Sequence, residues 1–284
     1  MTISRWGIVG LGRAGSARLR NIEARPHLAL AGTVGRRPGR GTTTLDALCA
    51  DPTVDGVVIC SENAHHAAAA RQVLDAGKHA IVEFPLAGSA AEARDLFARA
   101  RRADRVLHTE FIGLLTARHR AARIACRDAP VADLRMDFAA GSYRWVADEI
   151  AAGRLGQLAI GRLHAFHDLL GPLTLEDVRC TRAADAYHLT VHLLGAGGAR
   201  IVLDERRSPG QKRGGRMSGT WADGRPFAPA ALPEPGDLFG QDFDRALARI
   251  AGEPGAAYVS DETVVAVLAL AEEISARAAQ PCAV

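Results

Sequence analysis

Lysine is almost missing from this chain: Lys78 and Lys212 are the only two among 35 basic residues. With so much alanine and glycine, that scarcity is the mark of a GC-rich genome, and a single arginine carries little weight by itself. An excess of either charge is missing too. The 35 basic and 32 acidic residues leave +3 over 284 residues, which gives nucleic acid no broad electrostatic footing. Cysteine is sparse, at positions 49, 60, 126, 180 and 282, and no two form a Cys-x-x-Cys pair. An odd, scattered set argues against a disulfide framework or a zinc site and for reduced thiols in a cytoplasmic protein. No stretch approaches the ~18 apolar residues that a transmembrane helix needs. The opening Met-Thr-Ile-Ser-Arg-Trp carries no apolar leader, so no membrane partner is expected.

What is present is an ordinary globular composition, 48% hydrophobic and 24% charged, sufficient for a packed core. At ~150 residues per domain, the length predicts two domains. Short apolar runs recur at 5–9, 28–34, 56–60, 79–84 and 105–111. Helical stretches at 64–77 and 89–103 separate the later ones, and Ser89 with Glu92 forms a capping box. Strands alternating with helices predict a parallel sheet. After residue 112 the rhythm changes. Helices are expected at 113–127 and 148–170, and period-two strands at 131–138, 175–181, 186–194 and 199–205. Helices at 237–251 and 260–279 close the chain. The expected fold is an α/β Rossmann domain, residues 1–112, followed by an α+β domain, residues 113–284, with a large open-faced, mostly antiparallel sheet.

Gly10-Leu11-Gly12-Arg13-Ala14-Gly15 is a G-x-G-x-x-G motif that follows a strand and opens a helix, the context in which the motif binds a dinucleotide. Gly10 permits the turn, Gly12 admits the pyrophosphate to the backbone, and Gly15 lets the helix meet the sheet. Arg13 and Ala14 belong to the first helical turn, whose N–H groups face the phosphates. An enzyme for NAD carries an acid at the end of the second strand to hold the ribose hydroxyls. Here that place reads Gly35-Arg36-Arg37, and two guanidinium groups suit a 2′-phosphate. The expected cofactor is NADPH, with NADH weaker.

The segments VGLGRAGSARLRNI, VVICSENAHH, GKHAIVEFPL and RVLHTEFIGLL resemble the biliverdin reductases, within the larger glucose–fructose oxidoreductase/MocA superfamily. The likeness is good over about residues 6–115 and thinner beyond. It implies a Rossmann domain, a second domain with an open-faced sheet, and NAD(P)H-dependent reduction of the central methine of a linear tetrapyrrole. It places Ser61, Glu62 and His66 after the third strand, and Glu83 and Phe84 after the fourth, at the cofactor. Glu110 matches a family glutamate at the end of the fifth strand, and Arg162 a family arginine near the bilin. One departure stands out: Phe84 occupies the place of a family tyrosine and of the superfamily's lysine, and it can donate no proton.

Hydride reduction asks the protein to position the acceptor and stabilise charge. The candidate catalytic residues are Arg162, Glu110 and Glu83. Either carboxyl can act as an acid or hold a water if its pKa is raised. The stretch 206–216 carries five cations, and Lys212, Arg213 and Arg216 are the candidate contacts for the propionates of a bilin, with Arg162 a further substrate contact. His164/His167 and His188/His192 are spaced as metal ligands but lack acidic or thiol companions, so no metal is expected. The same residues leave open an imine or carbonyl reductase acting on another metabolite, or a sensor that binds NADPH or bilin without turnover. Nothing in the sequence fixes the oligomeric state.

Overall fold

The computed structural model describes residues 3–36 and 39–280. Arg37 and Cys282, singled out above, lie outside them. The chain forms two compact units, one taking residues up to Ile112 together with Pro235–Val265, the other Gly113–Glu234 with residues from Ala266 onward.

The first unit is built on strands β1 (Ser4–Val9), β2 (Leu28–Val34), β3 (Gly56–Ile59), β4 (His79–Val82) and β5 (Leu107–Thr109). They lie in the order β2-β1-β3-β4-β5, every neighbouring pair parallel. All four residues of β3 are buried, as a central strand covered on both faces requires. Helices α1 (Arg13–Glu23), α2 (Leu45–Ala50), α3 (Asn63–Asp75) and α4 (Ala90–Arg102) make the connections. The capping box is present: Ser89 Oγ accepts from Glu92 N at 3.1 Å. The short α2, unmarked by periodicity, is capped by Thr44.

The second unit begins with a 3₁₀ turn at Ile112–Leu115 and α5 (Ala117–Asp128). There follow β6 (Val131–Gly141), α6 (Arg144–Ala151), α7 (Leu155–Leu170), β7 (Leu173–Arg182), β8 (Tyr187–Gly195), β9 (Arg200–Ser208) and β10 (Gly214–Trp221). The helix expected over 148–170 is two, because Gly153 turns the chain with φ +70°. The strand order is β10-β6-β9-β8-β7. All pairs are antiparallel except β6 with β9, which run parallel. The sheet is therefore mixed and mostly antiparallel.

Residues of its central strands alternate between the two faces. Ile201, Leu203, Glu205 and Arg207 of β9 share a face with Tyr187, Leu189 and Val191 of β8 and with Leu134, Met136 and Phe138 of β6, by register. These positions are buried, Phe138 less so, and α7 packs over them. The opposite face carries Arg135, Asp137, Asp204, Arg206, His188 and His192.

The last two helices are α8 (Leu238–Ile250) and α9 (Asp261–Ala278). The expected second domain ran unbroken over 113–284. Instead, residues 235–265 fold with the first unit. The cause is α8: Phe243 is fully buried there, edge-on to Trp6 at 5.6 Å, in a core with Ile8, Ile22, Val58 and Ile81.

Candidate active site

In the first unit the three motif glycines do different work. Gly10 has φ +92°, a region closed to most side chains, and a Cβ there would strike the Cys60 carbonyl. A Cβ on Gly15 would strike the Gly10 carbonyl, so Gly15 is what lets α1 start against the loop. Around Gly12 a Cβ would meet nothing within 4 Å, which leaves space for a pyrophosphate. Arg13 and Ala14 open α1, whose first turn holds no acid and whose N-cap, Gly12, offers no capping side chain. The free donors of that turn and its positive dipole end fit a dinucleotide's phosphates.

Arg36 lies two residues beyond β2, and its Nη1 is 2.7 Å from Glu62 Oε1. Ser61 and Glu62 form the link from β3 to α3. His66 is enclosed: its Nδ1 is 2.8 Å from the Pro85 carbonyl and its Nε2 3.0 Å from the Ser61 carbonyl. It braces the loops that follow β3 and β4. Phe84 is partly exposed and stacks on Phe111 with centroids 5.9 Å apart.

Glu83 and Glu110 end β4 and β5 within a buried network that the sequence did not announce. At its centre is Arg18 of α1, wholly buried. Its Nη2 reaches Asp242 at 2.6 Å and Glu83 at 3.1 Å, and its Nη1 donates to the Phe239 carbonyl at 2.8 Å. His108 Nε2 lies 2.9 Å from Asp242, and the Tyr258 hydroxyl donates to the same carboxylate. Glu110 Oε1 accepts from Ile112 N. Burial, then the charges of Glu83 and Asp242, push the Glu110 pKa well above its ordinary value. Both effects favour its protonated form. Burial also opposes the charge of Asp242, but His108 and Arg18 hold its pKa down to about 2. Asp242, Tyr258 and His108 escaped sequence reading because 134 residues separate His108 from Asp242.

In the second unit Arg162, on α7, lies over the sheet. Its Nη2 is 2.7 Å from Glu205 Oε2 and donates to the Leu158 carbonyl. Its guanidinium carbon stands 4.3 Å from the centre of the Phe138 ring. Arg207 Nε reaches the other oxygen of Glu205 at 3.0 Å, and the Tyr187 hydroxyl donates to that oxygen at 2.6 Å. Burial, then the Glu205 charge, pushes the Tyr187 pKa up, so the phenol stays a donor. Arg213 also stands over Phe138, 5.6 Å from its centre.

The four candidate substrate contacts are not one cluster. Arg162 and Arg213 share the Phe138 ring. Lys212 is exposed in the β9–β10 connection. Arg216 is in β10 opposite Asp137, and so faces away from Phe138. The basic stretch 206–216 comprises the end of β9, a short connection and the start of β10. Glu205, Arg207, Phe138 and Tyr187 were missed. The available signal was parity: a glutamate and an arginine on the same side of β9 as Ile201 and Leu203.

The paired histidines find other surroundings. His188 meets Asp204 at 3.1 Å, and burial lowers the His164 pKa to about 3. Among the described residues no three His, Cys, Asp or Glu side chains gather as a metal site, and no helix is long and apolar enough to cross a membrane.

Residues 4–111 match the model of an oxidoreductase family with an NAD-binding Rossmann fold. Biliverdin reductase A of Mus musculus is 34% identical over 226 residues, 74% of this chain and 74% of that one. The human biliverdin reductase A is 33% identical over the same shares. Among solved structures, biliverdin reductase from Synechocystis sp. PCC 6803, in complex with biliverdin and NADP+, has a TM-score of 0.80 at 24% identity. That match covers 96% of this chain and 98% of the other, a likeness of fold. With a Rossmann unit of this geometry and a relative matched over three quarters of its length, the chain belongs to the biliverdin reductase family of NAD(P)-dependent oxidoreductases.

Proposed function

We propose that this protein reduces biliverdin to bilirubin with NADPH, adding hydride at the central methine carbon and a proton at a pyrrolic nitrogen. The observation that carries the reading is the charge balance around Phe138. Arg162 and Arg207 share one carboxylate, Glu205, so one positive charge is left over beside an aromatic face. A planar, conjugated substrate with two propionates suits that surface.

The cofactor, when bound, supplies the hydride. The first turn of α1, with Gly12, Arg13 and Ala14, holds its pyrophosphate, and Arg36 with Arg37 its 2′-phosphate. Ser61, Glu62 and His66 shape the adenine side of the same site, and Glu83 and Phe84 the loop after β4. Arg162 orients the nitrogen end of the bilin and stabilises the charge that develops there. Arg213 and Lys212 pair with propionates, and Arg216 meets only a substrate arm that passes the sheet edge. Phe84 supplies no proton, so the proton comes from water or from another residue, Glu83 and Glu110 being the candidate acids.

The test is direct. Protein, NADPH and biliverdin are mixed, and the red-region absorption of the bilin gives way to a blue-region band. No conversion with this substrate, together with NADPH oxidation by an imine or carbonyl compound, favours a reductase of another metabolite. The absence of a titratable group at Phe84 motivates that second reading.

A further inference from the structure

The sequence lacks an acid at the end of β2, but the fold returns one to that place from another strand. The strands β2 and β3 flank β1, and the glycine loop joins their ends. Gly10 N donates to the Val34 carbonyl at 2.8 Å, and the Gly10 Cα faces the Cys60 carbonyl. The residues after Val34 and after Cys60 therefore emerge side by side. Arg36 and Glu62 meet there at 2.7 Å, both side chains at least half exposed.

The Glu62 side chain is not spent on its own helix. The residue stands at the N-cap of α3, yet its side chain makes no capping bond. The caps of α2, α4 and α5 do: Thr44, Ser89 and Thr116 each accept from a backbone N–H. The Glu62 carboxylate reaches instead toward the cofactor-specificity arginine.

We infer that Glu62 sets how strongly the site prefers a 2′-phosphate, by competing with that phosphate for Arg36. The inference rests on Arg36 being the 2′-phosphate contact. The Arg36–Glu62 pair is neutral as it stands. A phosphate group carries about −1.5 to −2 charges at neutral pH. To engage Arg36 it must share or displace Glu62, and the carboxylate repels it while it does so. An exposed ion pair is weak, so the phosphate wins, with affinity reduced by the exchange. An unphosphorylated ribose meets no such competition.

Binding titrations on the full chain test this without turnover. NADP+ and NAD+ are titrated by calorimetry into the unmodified protein, Glu62→Gln, Arg36→Ala and the double variant. Adenosine 2′,5′-bisphosphate and 5′-AMP serve as a second pair that differs at the 2′-phosphate alone. Glu62→Gln is expected to tighten NADP+ and the bisphosphate about fivefold, the effect of a pair at the upper end of the exposed range. NAD+ and 5′-AMP are not tightened, and the gain disappears when Arg36 is alanine. If Glu62→Gln leaves NADP+ unchanged or weaker while Arg36→Ala weakens it selectively, the competition is refuted and the 2′-phosphate reading stands. A gain that persists without Arg36 also overturns it, because the effect is then plain repulsion. If Arg36→Ala leaves the ratio of NADP+ to NAD+ affinity untouched, the reading of Arg36 falls and takes the inference with it.

Discussion

Arg18 and Arg162 invite comparison, since each projects from a helix onto a sheet and meets a buried carboxylate. Arg18 is closed off: two carboxylates and a carbonyl occupy its donors, and Phe239 lies 5.1 Å from its guanidinium. Burial disfavours its charge, but Asp242 and Glu83 outweigh that and push its pKa up. Around it anions outnumber cations. Around Arg162 the count is reversed, because Arg207 shares the same glutamate. The Nε of Arg162 is buried with no hydrogen-bond partner among the described residues. A guanidinium with surplus acceptors serves the fold. One with surplus positive charge around it is available to a ligand.

The sharpest way to break this contrast is Arg18→Met. It leaves two carboxylates facing each other in the interior, and losing one partner of a buried pair costs about 3–5 kcal/mol. Urea unfolding of Arg162→Met should show less than half that loss, because Glu205 keeps Tyr187 and Arg207. Equal losses would erase the distinction.

Activity should rank the two clusters the other way. Arg162→Ala is expected to lower kcat for biliverdin about 10²–10³-fold, with the affinity for NADPH unchanged, since the contact matters as charge appears during transfer. Steady-state kinetics within a few-fold of the parent enzyme would remove Arg162 from the chemistry.

A pH series sharpens the first cluster. Glu110 binds its proton more tightly folded than unfolded. Its contribution to stability is therefore full below the ordinary glutamate value of 4.5 and is lost as pH rises through its raised pKa. Asp242 has the opposite sign: its contribution is present above 3.8 and lost as pH falls through about 2. Unfolding free energies in the parent should decline as pH rises above 4.5. That decline should flatten in Glu110→Gln, and an unchanged slope would assign it elsewhere.

The smallest effect is expected at Phe84→Tyr, where a hydroxyl is added to a partly exposed ring. Turnover should change only a few-fold. A variant that gains biliverdin reduction from a parent with none would show that the proton donor had been missing.

The Rossmann sheet was legible because its evidence is local: buried strands read as apolar runs, and the glycine motif stands where β1 ends. The second sheet was half legible. Alternation marked β6 to β9, but alternation does not name a neighbour, so the parallel pairing of β6 with β9 was invisible. The strand β10 opens with Gly214-Gly215 and takes its conformation from pairing with β6 rather than from its own propensity. Resemblance pointed to Arg162, Glu83 and Glu110, but not to what holds them. Asp242 and Tyr258 come from a segment assigned to the wrong unit, because nothing in α8 says which sheet Phe243 will reach. Glu205 and Arg207 sat beside Asp204 and Arg206, and doublets of like residues conceal which member points inward.

Those doublets bear on how this protein can change. In β9 the sequence Asp204-Glu205-Arg206-Arg207 offers each face one acid and one arginine. A single-residue insertion upstream in the strand would exchange the faces and still present a carboxylate and a guanidinium beneath α7. The chemical cluster thus tolerates a slip on paper, but Ile201 and Leu203, which would turn outward, do not. The phase of the face beneath α7 is enforced by two buried aliphatic side chains. Length variation in this family member should accordingly be confined to the connections between strands, or arrive within β9 in steps of two.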